Sequence, residues 1–406
     1  MCALRLVGQR QRAHQLAYRE TVRAGGEHPP GNRGPGLRLR PGGQVAGRAD
    51  ELFVHRVEQV PRPRDEFRVP ADRPGLVICH LFSLPAVCGP GKMAATCQLL
   101  VRATGPGQAV SMTNTTSTSQ PAAASGTFAI GGDLPVARLG FGTMRLSTGT
   151  FTGPVRDPEV GIAVLRRAVE LGVNHIDTAS FYRRGHVVAN ELVRQALAPY
   201  PDGLVIATKV GPMLGPDGTP TLQANPGQLR GLVEDNLREL DVDHLDLVYL
   251  RVGGRNAPGG EPVAERFAAL ATLRQEGLIR HLGISNVDAA QLAEARAIAP
   301  VAAVQNAFHV HATADAELLA ECTRSGTAFV PFFPLGGGLA PIDTTRLEET
   351  AIRRGATVQQ VALAALLAAS PVMLPIPGTG SLAHLEENVG AASVQLAPED
   401  IASLAG

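Results

Sequence analysis

No apolar run in this chain approaches the ~20 residues that a membrane-spanning helix needs. The opening stretch, 1–12, lacks the apolar centre of a secretory signal peptide. The default expectation is a cytoplasmic protein with no membrane partner. Cysteine is scarce and unevenly placed. Cys2, Cys79, Cys88 and Cys97 precede residue 121, and only Cys322 follows it, so no disulfide framework is expected in the later part. Cys79, Cys88 and Cys97 have no histidine at ligand spacing, which argues against a zinc site, and no metal is expected. Net charge is absent too, but only by cancellation. Residues 1–120 hold 16 Lys and Arg against 8 Asp and Glu, and the remainder holds 21 against 29. The chain therefore joins two unlike parts, net +8 and net −8.

The first part, residues 1–126, shows no sustained period of 3.6 or 2. It is dense in Gly, Pro and Arg over 25–47 and in Ser, Thr and Ala over 111–126. Such segments bury too little apolar surface to offset the entropy of ordering the backbone, so a disordered leader is expected. Its arginines are scattered, without interleaved aromatics, and no nucleic-acid partner is expected. The stretch from Met112 reads as a short polar lead-in to a fold. The alternative to a disordered leader is an over-long gene model, with the natural start at Met112.

From Thr127 the pattern changes. Residues 128–136 read as a hairpin turning at Gly131-Gly132-Asp133. Eight β-rich runs follow, at 138–144, 174–178, 205–210, 245–250, 280–284, 303–306, 328–333 and 372–376. Between them lie amphipathic stretches such as 161–171, 228–240, 264–276 and 358–369, with apolar residues at three- and four-residue steps. A strict β/α alternation of this length is a closed barrel or a doubly wound sheet. No G-x-G-x-x-G follows the first strand, which disfavours the sheet. The expected fold is an α/β protein, a (β/α)8 TIM barrel over 127–406.

In such a barrel chemistry gathers at the C-terminal strand ends. There the sequence places Asp177 with Tyr182 five residues on, Lys209, Arg251, Ser285-Asn286 and Gln305. A tyrosine can act as general acid near neutral pH only if its pKa, ~10 when unperturbed, is lowered. A nearby ammonium favours the phenolate, and a carboxylate beside that ammonium holds it in place. Tyr182, Lys209 and Asp177 supply those three parts.

With these residues in view, the sequence resembles the aldo-keto reductases over essentially all of 127–406. The matching motifs are Leu139-Gly-Phe-Gly-Thr143, Asp177-Thr-Ala-x-x-Tyr182, Thr208-Lys209, Gly283-Ile-Ser-Asn286 and Val304-Gln-Asn306, then Pro334-Leu-Gly-Gly337 and Ile376-Pro-Gly-Thr379 with Glu387-Asn388. Within that family the likeness is greatest to the bacterial pyridoxal reductases. They share Asn174-His-Ile-Asp177, Leu250-Arg251, the run from Val330 to Gly337, and His384-Leu-x-Glu-Asn388.

The resemblance implies an NADPH-dependent enzyme that reduces pyridoxal to pyridoxine. NADH is the alternative cofactor, and monomer and homo-oligomer are both compatible. Tyr182 would protonate the carbonyl oxygen, tuned by Lys209 and Asp177. Ser285, Asn286 and Gln305 would hold the nicotinamide carboxamide, and Phe332, beside Phe333, would stack on the ring. Gly142 and Thr143 would border the cofactor. The loop through Pro334, Leu335, Gly336 and Gly338 would follow the pyrophosphate with backbone N–H groups. Gly378, Thr379, Ser381, His384, Glu387 and Asn388 would surround the adenosine.

Three departures stand out. Arg251 replaces the usual His, and the implied reading is a subgroup trait. Arg183-Arg184 lengthen the loop after Tyr182, and are expected to face solvent or else to favour an anionic substrate. No Lys or Arg occupies 377–388, where many relatives contact the 2′-phosphate. The alternative functions are a broad aldehyde or ketone reductase and a low-turnover NADP(H)-binding regulatory subunit.

Overall fold

Seven short parallel strands alternate with helices along the chain. The strands are β1 (Phe141–Gly142), β2 (His175–Asp177), β3 (Val205–Val210), β4 (Leu245–Arg251), β5 (Ile279–Ser285), β6 (Ala303–Gln305) and β7 (Ala328–Phe329). The computed structural model describes residues 120–148, 153–216, 218–254, 260–311, 314–338 and 344–405. The expected leader up to residue 119, with its Met112 start, lies outside the described residues.

The strands pair in the order of the chain, β1 to β7, each parallel to the next. Residues 372–376 close the ring. Leu374 N donates to Phe329 O and Phe329 N to Val372 O, both at 2.8 Å, on one side. On the other, Gly140 N donates to Pro375 O at 3.0 Å. This eighth stave is extended but too sparsely bonded to count as a regular strand. The result is the expected (β/α)8 barrel. Six of its helices are α1 (Pro158–Glu170), α2 (Ala189–Leu197), α3 (Leu229–Leu240), α4 (Ala264–Gln275), α5 (Ala289–Arg296) and α6 (Ala316–Ser325). Their starts follow capping rules: Asp157 caps α1 ahead of Pro158, and Asp288 and Gln291 form a reciprocal capping box on α5.

Period-2 alternation sorts the strand residues into an inner and an outer layer. Ile206 and Val210 on β3, Val248 and Leu250 on β4, and Val304 on β6 face outward into the helix shell. Val205, Ala207, Leu247, Tyr249, Ala303 and Leu374 face inward and form a separate core. That inner core is plugged at one end by the hairpin of Thr127–Ile130 and Leu134–Ala137, which contributes Ile130, Leu134 and Val136. Asp133 at the hairpin turn bonds His281 Nε2 at 2.6 Å and Arg280 at 2.9 Å, pinning the plug to β5.

The structure departs from sequence expectation in two places. Pro121–Ser125 is a 3-10 helix with Ala122 and Ser125 buried, so packing starts ahead of the expected boundary at Thr127. Its backbone is bonded to the α1 end, Ala122 N to Leu171 O at 3.0 Å, a partner invisible in local composition. The expected strand 138–144 is regular only at Phe141–Gly142, because Met144–Ser147 turns into a short helix.

No helix among the described residues is long and apolar enough to cross a membrane.

Candidate active site

The inward columns of the strands end at one rim, and polar side chains replace apolar ones there. Asp177 ends β2, Lys209 stands near the end of β3, Arg251 ends β4, Ser285 ends β5 and Gln305 ends β6. Register makes neighbours of them: Ser285 pairs with Arg251 on one side and with Gln305 on the other. Phe332 follows β7 and is buried.

Asp177 and Lys209 are 2% and 1% exposed, too buried for either charge to stand alone. Lys209 Nζ lies 2.5 Å from Asp177 Oδ1 and donates to Thr178 O at 3.0 Å. The other carboxylate oxygen, Oδ2, accepts from Gln305 Nε2 at 2.8 Å. The ammonium then stands 4.7 Å from the centroid of the Tyr182 ring. Tyr182 rides on the turn after β2, where its N–H bonds Ala179 O at 3.0 Å and its ring meets Phe181 edge-on.

Arg251 completes the rim. It donates to Ser285 Oγ at 3.3 Å and lies 4.8 Å over the Phe332 ring. Burial pulls its guanidinium pKa downward, while the Tyr182 phenol and Asp177 carboxylate oppose that shift. The three groups thus share one electrostatic neighbourhood. Below the rim, His175 and the Tyr249 hydroxyl are buried with no hydrogen-bond partner. Burial lowers the His175 pKa to about 4, so its ring is neutral.

The other sequence-predicted residues divide. Thr143 N donates to Asp177 O at 2.9 Å, and Thr143 Oγ1 donates to Thr178 at 3.0 Å, so Thr143 braces the β2 end. Asn286 has left-handed backbone, φ 61°, and its amide nitrogen bonds Val252 O at 2.8 Å and Gly254 O at 3.0 Å. That nitrogen ties down the loop after β4. Gln305 is shared between Asp177 through its nitrogen and an Oε1 that is buried without a donor.

The Phe332–Phe333 rings meet at 83°, and Phe333 bends the chain with φ 55° into the turn at Gly336–Gly338. A Cβ on Gly337 would stand 2.6 Å from the Phe333 ring, so the turn requires glycine there. Pro334 is buried, and Leu335 packs on the helix Thr345–Arg354 and its neighbours. Gly142 and Gly378 are pressed together, since a Cβ on Gly378 would lie 2.4 Å from Gly142 O. Ser381 caps the start of the helix Leu382–Gly390 and its N–H donates to Thr379 Oγ1 at 3.1 Å, with His384 exposed, Glu387 half-buried and Asn388 buried along the helix.

The loop cations, both partly exposed, have partners within the chain. Arg183 pairs with Glu239 at 2.6 Å, and Arg184 Nε donates to Gly153 O at 3.1 Å. Both are engaged with this chain's own groups. Two arginines outside every motif reach the loops at Gly337 and Gly380. Arg145 donates to Gly337 O, and Arg156 donates to Gly380 O at 3.2 Å. Burial and the nearby Arg156 charge both lower the Arg145 pKa, placing two cations in one neighbourhood. Nothing local in sequence marks them, because each acts on a loop about 190 residues or more away. Among the described residues no group of three or more His, Cys, Asp or Glu is placed to hold a metal.

A buried carboxylate–ammonium pair thus stands against a rim tyrosine. The Aldo/keto reductase family matches residues 138–406. The chain is 45% identical over 284 residues to pyridoxine 4-dehydrogenase of Escherichia coli strain K12, covering 70% of this chain and 98% of that protein. It is 40% identical to an uncharacterized oxidoreductase of Schizosaccharomyces pombe, covering 67% and 87%. A Klebsiella pneumoniae aldo/keto reductase, crystallised in complex with NADP and acetate, superposes with a TM-score of 0.57 at 28% identity, covering 68% of this chain and 93% of that one. The chain belongs to the aldo/keto reductase family.

Proposed function

We propose that this chain is an NADPH-dependent carbonyl reductase that converts pyridoxal to pyridoxine, with Tyr182 as general acid. The observation that carries the reading is the Lys209 ammonium, fixed between Asp177 and Thr178 O and standing 4.7 Å from the Tyr182 ring centroid. The E. coli relative's pyridoxine 4-dehydrogenase name supports the substrate. The NADP in the Klebsiella structure supports the cofactor.

The residues present fit such a cofactor. Gln305 Oε1 is a buried acceptor lacking a donor, which a carboxamide N–H would supply. Ser285, Asn286 and Phe332 border the same rim. Gly336 and Gly337 both have positive φ, and Gly336 N donates to Phe333 O at 2.8 Å, which fixes the turn that a pyrophosphate would follow. Arg145 and Arg156 offer the positive charge that 377–388 lacks, beside Thr379 and Ser381.

When bound, the reduced nicotinamide supplies the hydride. The protein orients the carbonyl and handles the proton. Tyr182 Oη gives its proton to the carbonyl oxygen, and the resulting phenolate is stabilised by the Lys209 charge. Asp177 keeps Lys209 in place, and Gln305 keeps Asp177 in place. Arg251, which approaches Tyr182, donates hydrogen bonds toward the same oxygen and adds a second fixed charge. Solvent then reprotonates the phenolate.

The test is to mix the full chain with NADPH and pyridoxal, pyridoxal phosphate or simple aldehydes, and follow loss of cofactor absorbance. Turnover of pyridoxal well above that of benzaldehyde is expected. Equal rates would refute the substrate, and bound NADPH that no aldehyde oxidises would refute the reductase. Tyr182→Phe should cut turnover by orders of magnitude with NADPH binding intact.

A further inference from the structure

Behind the Tyr182 turn, outside the barrel wall, sits a carboxylate that the chemistry above does not use. Glu239 lies near the end of α3 with its side chain only 10% exposed. Its Oε1 accepts from Ser180 Oγ at 3.0 Å and from the Arg183 guanidinium at 2.6 Å. Its Oε2 accepts from Asn190 Nδ2 at 2.9 Å. Arg183 closes the same turn again, Nε donating to Ser180 O at 3.0 Å.

These donors bracket the tyrosine. Ser180 is two residues before Tyr182 and Arg183 is one after it. Asn190 is the second residue of α2, whose first residue, Ala189, donates its N–H to Tyr182 O at 2.9 Å. Asn190 also accepts from Thr178 Oγ1 at 2.8 Å and donates to Asn236 at 2.9 Å, and Asn236 accepts from Thr208 at 2.6 Å. Thr178 and Thr208 are the sequence neighbours of Asp177 and Lys209. One buried network therefore reaches the backbone beside all three rim residues, and Glu239 is its charged member. Burying a carboxylate is costly unless its donors are fixed around it, so the network holds as a unit.

We propose that Glu239 is a positioning residue for proton transfer, setting where the Tyr182 phenol stands relative to Lys209 by anchoring the turn on both flanks. The inference rests on the reading of Tyr182 as the proton donor. None of the hydrogen bonds that Glu239 makes goes to Asp177, Lys209 or the Tyr182 side chain, so its action is through geometry. The sensitivity is expected to be high, because misplacing a reacting group by ~1 Å can cost on the order of 100-fold in rate.

The experiment uses the full chain and five variants, Glu239→Ala, Glu239→Gln, Arg183→Met, the double Glu239→Ala with Arg183→Met, and Tyr182→Phe. For each, kcat with pyridoxal is expressed per NADPH-binding site counted by fluorescence titration, so that a loss of folded protein does not count as a loss of rate. Glu239→Ala should lower kcat per site about 10- to 100-fold while leaving the NADPH Kd unchanged. Amide hydrogen exchange should rise over residues 178–190. Glu239→Gln, which still accepts from Ser180, should restore most of the rate. Arg183→Met should lower kcat several-fold, and the double variant should be no slower than Glu239→Ala alone, since both act on one turn.

Kcat per site within two-fold of the parent in Glu239→Ala, with Tyr182→Phe inactive, overturns the inference and leaves the donor standing. Should Glu239→Ala not fold, Arg183→Met decides, and an unchanged kcat there overturns the inference. Turnover that survives Tyr182→Phe overturns the donor reading itself, whatever Glu239 does.

Discussion

Lys209 is 1% exposed, and its side-chain nitrogen is held by Asp177 and Thr178 O. Removing one partner of such a pair leaves the other charge buried and uncompensated. Lys209→Met should therefore destabilise the fold by about 3–5 kcal/mol, read as a shift in urea midpoint. Adding Asp177→Asn should recover part of that loss, whereas a double variant worse than the single would contradict the argument.

His175, one inward step below Asp177, makes a separate prediction. Its folded pKa is about 4 against 6.5 for the exposed ring, so the unfolded chain binds the proton more readily. Stability is full above pH 6.5 and falls as pH drops from there toward 4, by about 3 kcal/mol in all from this group. His175→Leu should flatten the fall in urea midpoint between pH 7 and pH 5. An identical slope in the variant would show that the ring is not the sensor.

At the level of elements, close approaches impose glycine where neither turn nor strand grammar alone would demand it. Gly283 lies within β5, yet a Cβ there would sit 2.5 Å from the Tyr249 ring and 3.0 Å from Ala303 O. Gly283→Ala should cost about 1–3 kcal/mol by overpacking the inner core, measured by thermal unfolding. Gly131 meets two demands at once, with φ +65° and a Cβ that would fall 2.3 Å from the His281 ring. The hairpin plug and β5 thus fit only with glycine at the turn. Gly131→Ala should lower the melting temperature more than Gly132→Ala, whose Cβ would meet nothing within 4 Å although its φ is also positive. Equal shifts would mean that backbone strain, and not the His281 contact, dominates.

For the whole molecule, the neutral total charge conceals opposite halves, 16 Lys and Arg against 8 Asp and Glu before residue 121. The family match begins at Arg138. Deleting residues 1–111 is therefore expected to leave melting temperature and pyridoxal turnover unchanged. It should convert a chain of pI about 7.2 into one of net charge −8, retained on an anion exchanger at neutral pH. A large drop in melting temperature would show that the leader supports the fold.

The parts legible in the sequence were those with a local period. Short β-rich runs marked the strands, three- and four-residue steps marked the helices, and their strict succession implied the barrel. Strand ends then located Asp177, Lys209, Arg251, Ser285 and Gln305, because a barrel gathers its C-terminal strand ends at one rim. What local period cannot encode is which side chains meet after the ring closes. That Gln305 grips Asp177, 128 residues away, follows from the curl of the sheet. So do the approach of Arg145 to Gly337 and of Arg156 to Gly380, and the pairing of Arg183 with Glu239. Pattern in the chain determined the scaffold and the rim. Only tertiary closure decided the partners, because a buried charge takes whichever donor the finished packing brings within reach.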